Sequence, residues 1–406
     1  MGGTDDRERV RRRRVFYIPG YDPFPPRRYR ELYRREGARQ AELSGYELQI
    51  APLQDDGPYG WHVEARMQGQ RTRSEFRILI WTDIVRRSMD MGVLATYLLL
   101  LRTFWIYLST GAMLRLFRLR RGPVITAMYP VVMLLGQLGL ALGAGWAVYR
   151  LGGLAVPGWV SGLAGAALVP LVLRQFRRLD GKLFVYYLLH DYAFTARYRG
   201  ANPPELEARI ADFVRMIGEA LQEDVDEVLV VGHSSGAHLG VSIMADLVRA
   251  GVLRDDGPAL AFLTLGQAVP MQSFLPAATR LRGDLHLLAA RDDIAWLDVS
   301  APGDGCCYAL CDPVAVSGAS PPDKRWPLVV SAAFSQTLRP ETWKRLKRRF
   351  FRLHFQYLCA FDGGGDYDYF AITAGPCTLR ARIRGRRPSA SRKEEVLTPH
   401  TAREAA

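Results

Sequence analysis

Cysteine is scarce in this chain: five among 406 residues, an odd number, three of them crowded at Cys306, Cys307 and Cys311. That excludes a disulfide-stapled scaffold and points to free, buried thiols in a reducing compartment. The spacing of those three fits no zinc pattern, so no metal is expected, and no cofactor motif stands out. A secretory leader is also missing, because Met1 to Arg14 is polar and arginine-rich with no apolar stretch behind it. Acidic side chains are the minority, 41 against 54 Lys and Arg, which leaves a net charge of +13. A basic balance suits either nucleic acid or an anionic membrane surface. Here the arginines gather at the chain ends and beside long apolar runs, and no binding motif interleaves them. The lipid bilayer is therefore the expected partner and nucleic acid is not.

Charge is absent altogether from residues 122–149 and, after Arg150, from 151–173. About 20 apolar residues suffice for a helix to cross the hydrocarbon core, so each run is long enough. Both carry several glycines, which membrane helices use where they pack closely. Gly152, Gly153 and Pro157 mark a tight turn between them, and the pair reads as a transmembrane hairpin. Arg115, Arg118, Arg120 and Arg121 precede it, Arg174, Arg177, Arg178 and Lys182 follow it, and only Arg150 sits at the turn. The positive-inside rule then puts both termini and the rest of the chain in the cytoplasm, with an inner membrane as the expected site. Residues 92–114 are apolar too, but Arg102 interrupts them. Strands before and after the insertion must lie on one side to share a sheet, so the crossings are even in number. The 92–114 stretch is accordingly read as an interfacial or lid-like helix. A soluble apolar cap or a dimer interface is the alternative for the whole region.

Outside the insertion, strand and helix patterns alternate. Val15–Ile18 is a short apolar run stopped by Pro19 and Gly20, residues 26–43 suit a surface helix, and 46–52 alternate as a strand. The stretch 76–85 reads less clearly, as a strand leading into a helix. Later come the apolar, aromatic Leu183–Leu189 and a helix over 204–221. The β-branched Val228–Val231 precedes a helix over 237–248, a strand over 261–265 and a helix over 281–290. Strands over 295–301 and 328–334 and a basic helix over 341–350 complete the pattern. Such alternation predicts an α/β class fold with a mostly parallel sheet covered on both faces. The expected divisions are a basic leader (1–14), a first α/β part (15–90), the membrane insertion (91–178), a second α/β part (179–380) and a disordered basic tail (381–406).

Gly232-His233-Ser234-Ser235-Gly236 fits G-x-S-x-G, with Val228–Val231 as the strand before it and Ala237–Val241 opening a helix after it. A strand turning sharply into a helix holds a serine in a strained elbow at the sheet's edge, where it can act as a nucleophile. Serine needs a histidine base, and the base needs an acid to fix its tautomer. His286 comes before every plausible acid loop and His400 lies in the tail, whereas His354 follows the last strand. For the acid, Asp304 ends the strand containing Trp296 and is preferred to Asp312, while Asp292 and Asp293 come before the strand. An oxyanion hole needs two backbone N–H groups, one expected from Ser235 and the other from the loop at Gly20 and Tyr21.

On these residues the chain resembles the α/β-hydrolase superfamily, and within it lipases and esterases. The elbow Val230–Gly236, the run Leu263-Thr264-Leu265-Gly266, the stretch Trp296 to Asp304, and His354 with Tyr357 carry the resemblance, which covers residues 15–90 and 183–376. Pro19-Gly20 stands where the family usually has His-Gly, and the transmembrane insertion is not a common lipase feature. The resemblance implies an α/β-hydrolase fold and a serine hydrolase of hydrophobic, lipid-type carboxylic esters, acting through an acyl-enzyme on Ser234 with His354 and Asp304. An acyltransferase or thioesterase using the same residues, and a catalytically inactive tethered scaffold, are the alternatives.

Overall fold

The computed structural model describes residues 8–404, apart from 56, 364 and 366. The first half of the expected leader and the last two residues of the expected tail lie outside them. The centre of the molecule is an eight-stranded sheet made of β1 (Arg12–Ile18), β2 (Glu47–Pro52), β3 (Gly60–Met67), β4 (Gln70–Ile78), β5 (Glu227–His233), β6 (Ala259–Leu265), β7 (Ile294–Ser300) and β8 (Leu328–Ser331). Its order is β2-β3-β4-β1-β5-β6-β7-β8. Pairing is antiparallel across β2-β3-β4 and parallel from β4 through β8. The mostly parallel α/β class is thus as expected. The antiparallel pair β3 and β4 is new, and the uncertain 76–85 stretch contains the end of β4 and the start of a helix over Thr82–Met89.

Both faces of the sheet are covered. Tyr29 and Tyr33, on the helix Arg27–Ser44, join Val15, Tyr17, Leu229, Val231 and Leu263 on one face. On the other, the helices Pro204–Ala220, Gly236–Arg249 and Thr279–Ala290 pack on Phe16, Ile18, Val228, Val230 and Phe262. Strands buried on both faces read as continuous apolar runs, and that is why β5 and β6 are plain in the sequence.

The segment expected to be a disordered tail instead follows a fixed path across the body. Lys393 donates its N–H to Leu310 O (2.7 Å) and accepts from Asp312 N (2.9 Å), and Glu404 N reaches Thr279 O (3.1 Å). At the base of the sheet the Arg13 guanidinium binds Glu227 (2.6 Å) and the carbonyls of Gly375 and Cys377. Glu227 in turn accepts from Leu379 N (2.6 Å). A buried ion pair needs such extra hydrogen bonds to offset its desolvation, and here the C-terminal chain supplies them. Polar composition therefore misled: the tail is held by main-chain hydrogen bonds, which composition does not report.

Between β4 and β5 the chain leaves the sheet. The helices Arg121–Gly152 and Gly158–Arg178 are long and apolar enough to cross a membrane. They lie against each other where Gly145 meets Gly165. A Cβ on Gly145 would stand 2.7 Å from the Gly165 carbonyl oxygen, so only glycine permits the contact. The outer surface is apolar, with Leu140, Leu142, Trp146, Leu154, Trp159 and Leu163 all more than half exposed. So large a greasy surface marks an interaction site rather than a face bathed in water. Before the pair, Val93–Ser109 forms a helix bent by 104° from Thr82–Met89. Leu94, Leu98, Leu101, Trp105 and Leu108 make one exposed stripe, while Thr96, Leu100, Thr103 and Tyr107 face inward. Arg102, exposed on this helix, turns its guanidinium to the Arg197 carbonyl (3.2 Å). The aromatic stretch Leu183–Leu189 belongs to a helix, Val185–Ala196, whose first N–H groups are capped by the Asp180 carboxylate.

Candidate active site

The strand order reverses at β1. From β1 the chain moves toward the β2 edge, whereas from β5 it moves toward β8. In open α/β sheets the crevice outside the carboxyl ends of the strands at such a switch point is where ligands bind. The residues that end β1 and β5 are Gly20 with Tyr21 and Ser234, so the topology gathers them without reference to chemistry.

Ser234 sits between β5 and the helix Gly236–Arg249 with φ +57°. A left-handed backbone on a residue other than glycine costs on the order of 1–3 kcal/mol and persists only where the surroundings impose it. Two glycines make the turn possible. A Cβ on Gly232 would lie 2.7 Å from Gly236 O, and one on Gly236 would lie 2.2 Å from Ile18 O. Gly20 lies against the serine: a Cβ there would come within 3.4 Å of Ser234 Oγ. Ser235 begins the helix, where the first N–H groups have no intrahelical acceptor. Tyr21 is fixed by its ring, packed on Trp81, Tyr187 and Phe194, and by its carbonyl, which accepts from Tyr187 OH (2.6 Å).

His354 ends the short helix Phe350–His354 and is buried. Its Nδ1 lies 2.7 Å from Asp304 Oδ2. Asp304 also accepts from Tyr357 OH (3.1 Å) and from Cys306 N (2.9 Å). Burial pushes its pKa up, but His354, with the Cys306 N–H and the Cys307 thiol, outweighs that and holds the carboxyl below its ordinary value. The alternative acid, Asp312, is engaged elsewhere, with Lys324 (2.5 Å) and the N–H groups of Val314 and Ala315. Room for His354 comes from Gly266, at φ +53°, where a Cβ would fall 2.6 Å from the Tyr357 ring and 3.1 Å from His354 Cε1. His233 stacks on His354 with centroids 4.7 Å apart and contacts the His354 carbonyl through Nε2 (3.0 Å). Burial lowers His233 to about 3, so it stays neutral beside its neighbour.

Ser234, Gly20, Tyr21 and His354 line one cavity of about 50 Å³. The structure thus joins Asp304 to His354 and brings Gly20, Tyr21 and Ser234 to the same space, with Ser235 next to the serine at the start of its helix. It does not join Ser234 to His354 by a hydrogen bond, since His354 Nε2 is buried and without a partner. Asp304, Cys306 and His354 also offer ligand atoms within 4.8 Å of one another. Burial pushes the Cys306 thiol up, away from the thiolate that would ligate a metal, and Nδ1 is taken by Asp304.

Asp191, absent from the sequence reading, lines the cavity as well. It accepts from Ser235 Oγ (3.3 Å), and burial raises its pKa to about 7. The signal was present: Asp191 is the one charged residue in the twelve-residue helix Val185–Ala196. A second, apolar cavity of about 60 Å³ adjoins the first, sharing Tyr192 and Met271 as walls. It is closed by Leu100 and Tyr107 on one side and by Val124 and Met128, at the root of the first long apolar helix, on the other. No protein-family model matches the chain, and comparison with curated proteins and with solved structures gives no significant match.

Proposed function

We propose that the chain is a membrane-anchored serine hydrolase of the α/β-hydrolase type that cleaves hydrophobic carboxylic esters of lipids. The observation that carries this reading is the Asp304–His354 pair opening onto the cavity of a serine held at φ +57°. Ser234 Oγ attacks the ester carbonyl carbon while His354 Nε2 takes the hydroxyl proton. The oxyanion rests on the N–H groups of Ser235 and of Tyr21 or Gly20. His354 returns the proton to the departing alcohol as the C–O bond breaks, which leaves the acyl group on Ser234. Water then attacks, its proton passes to His354, and the carboxylic acid leaves as Ser234 recovers its hydrogen. Asp304 holds the imidazole in the tautomer that presents Nε2 as acceptor and stabilises the imidazolium.

The lipid class of substrate rests on the apolar second cavity and on the neighbouring helix pair, read as a transmembrane hairpin. The arginines at its root support a cytoplasmic body and cytoplasmic termini at an inner membrane. A tethered scaffold without catalysis is the second reading, and the unpartnered His354 Nε2 is what favours it. Labelling of detergent-solubilised protein by a fluorophosphonate separates the two. The hydrolase reading expects labelling that disappears in Ser234→Ala and in His354→Ala; a folded wild-type protein that takes no label moves the assignment to the scaffold.

A further inference from the structure

From the end of the helix Pro340–Leu346 to His354 the chain carries Lys344 and Arg345, in that helix, and Lys347, Arg348, Arg349 and Arg352 after it, six cations in nine residues, all exposed. None of them is paired with a carboxylate among the described residues. Some exposed arginines elsewhere are neutralised locally: Arg87, Arg215 and Arg254 each hold an aspartate within four residues. A concentrated, unneutralised charge repels itself and is favourable only where an external anion answers it.

The position of the segment says which anion. Phe350, about half exposed, and Thr126 both lie against Gly305, and Thr126 Oγ1 donates to Gly305 O (2.9 Å). Thr126 belongs to the first turns of the helix that leaves for the membrane. On the other side Phe351 packs on Phe184 (4.8 Å) and Tyr187 (5.9 Å), just after the hairpin returns. The six cations therefore stand near the root of the apolar helix pair, whose own ends carry the exposed Arg118, Arg121, Arg174 and Arg178. The helix Arg121–Gly152 has 32 residues, about 48 Å at 1.5 Å per residue, against a hydrocarbon core of about 30 Å. The excess leaves room for its first turns at headgroup depth.

We infer that Lys344–Arg352 is a docking collar for the anionic headgroups of the bilayer that the hairpin crosses. The inference rests on the transmembrane reading and not on the hydrolase chemistry. Its consequence for the site is direct, because Phe351 lines the Ser234 cavity and the same segment ends in His354. Lipid bound by the collar holds the cavity mouth against the surface from which substrate comes.

The test uses the full chain reconstituted in nanodiscs of phosphatidylcholine with and without phosphatidylglycerol, read by amide hydrogen exchange over 344–352. Exchange there is expected to slow about tenfold on the anionic discs, to return toward the neutral-disc rate in high salt, and to lose its lipid dependence in Arg345→Gln/Arg348→Gln. Exchange over 204–220, away from the membrane, serves as the internal reference. Entry into both kinds of disc with exchange that ignores lipid charge overturns the collar alone. Failure to enter either kind overturns the transmembrane reading and the collar with it. Stronger protection by a single-stranded oligonucleotide in detergent than by anionic lipid assigns the charge to nucleic acid and also overturns the proposal.

Discussion

At Asp304 one carboxylate takes hydrogen bonds from His354, Tyr357 and Cys306, and at Asp312 another is spent on Lys324. Replacing each by asparagine should separate their roles. Asp304→Asn is expected to slow fluorophosphonate labelling on the order of a thousandfold by presenting the wrong tautomer. Asp312→Asn should leave labelling of the folded protein near wild type and cost about 1–3 kcal/mol of stability, read by thermal unfolding. Two other buried acids set a pH dependence. Burial raises Asp191 to about 7, and burial with the nearby Asp312 raises Asp298 to about 8. The folded protein keeps these protons while the unfolded chain has released them above about pH 4, so stability falls as pH climbs toward the folded values. His233 and His238 act in the opposite sense, since burial lowers both to about 3, but above about pH 6.5 they are neutral in both states. The thermal midpoint is therefore expected to fall between pH 6.5 and 8, and Asp298→Asn should flatten that fall; an unchanged slope in the variant discards the account. Ser234, His354 and Asp304 could be singled out in the sequence because their surroundings are local: a glycine-flanked turn after a β-branched run, and positions at strand ends. Asp191 stands out in the sequence only as the one charged residue of an apolar helix, and its place at the site comes from the packing of that helix, which the sequence puts far from the elbow.

Among the elements, the parallel strands were legible and β3 and β4 were not. β5 and β6 are apolar throughout, whereas β3 and β4 mix Trp61, Val63 and Phe76 with arginines and glutamates that pair across the strands, such as Arg71 with Glu64. Their regularity lies in partners that only the fold reveals. The helix pair was legible from its lack of charge, and its packing can be tested at single glycines. Gly165→Ala would drive a Cβ to 2.3 Å from the Gly145 carbonyl oxygen, while a Cβ on Gly162 meets nothing nearer than Tyr149 at 3.8 Å. The first substitution should lower the unfolding temperature of the solubilised protein and the second should not; equal behaviour would mean that the two helices do not cross there. Thr126→Val removes the hydrogen bond between the helix root and Gly305, next to the acid. It is expected to slow labelling several-fold without loss of the fold, because the loop that aims Asp304 loses one of its anchors.

For the molecule as a whole, the transmembrane reading, with its even number of crossings, makes a statement about sides. Leu154, at the turn and 85 % exposed, and Val396, on the body, should lie across the bilayer from one another. In sealed vesicles of one orientation, an impermeant thiol reagent is expected to label either Leu154→Cys or Val396→Cys, and the other only after permeabilisation. Labelling of both from one side would mean that the hairpin does not span. The sheet order also fixes a sequence of events during synthesis. β1 lies at the centre of the sheet and waits for partners on both sides: β4, which is made before the insertion, and β5, which is made after it. A ribosome that has delivered everything up to the hairpin has produced a half-sheet with an open apolar edge and no Ser234. The crevice is closed only when the chain has passed through the apolar helix pair and laid β5 beside β1. A nascent chain stalled before β5 thus lacks Ser234, and it offers the cell's quality control an unpaired strand by which to find it.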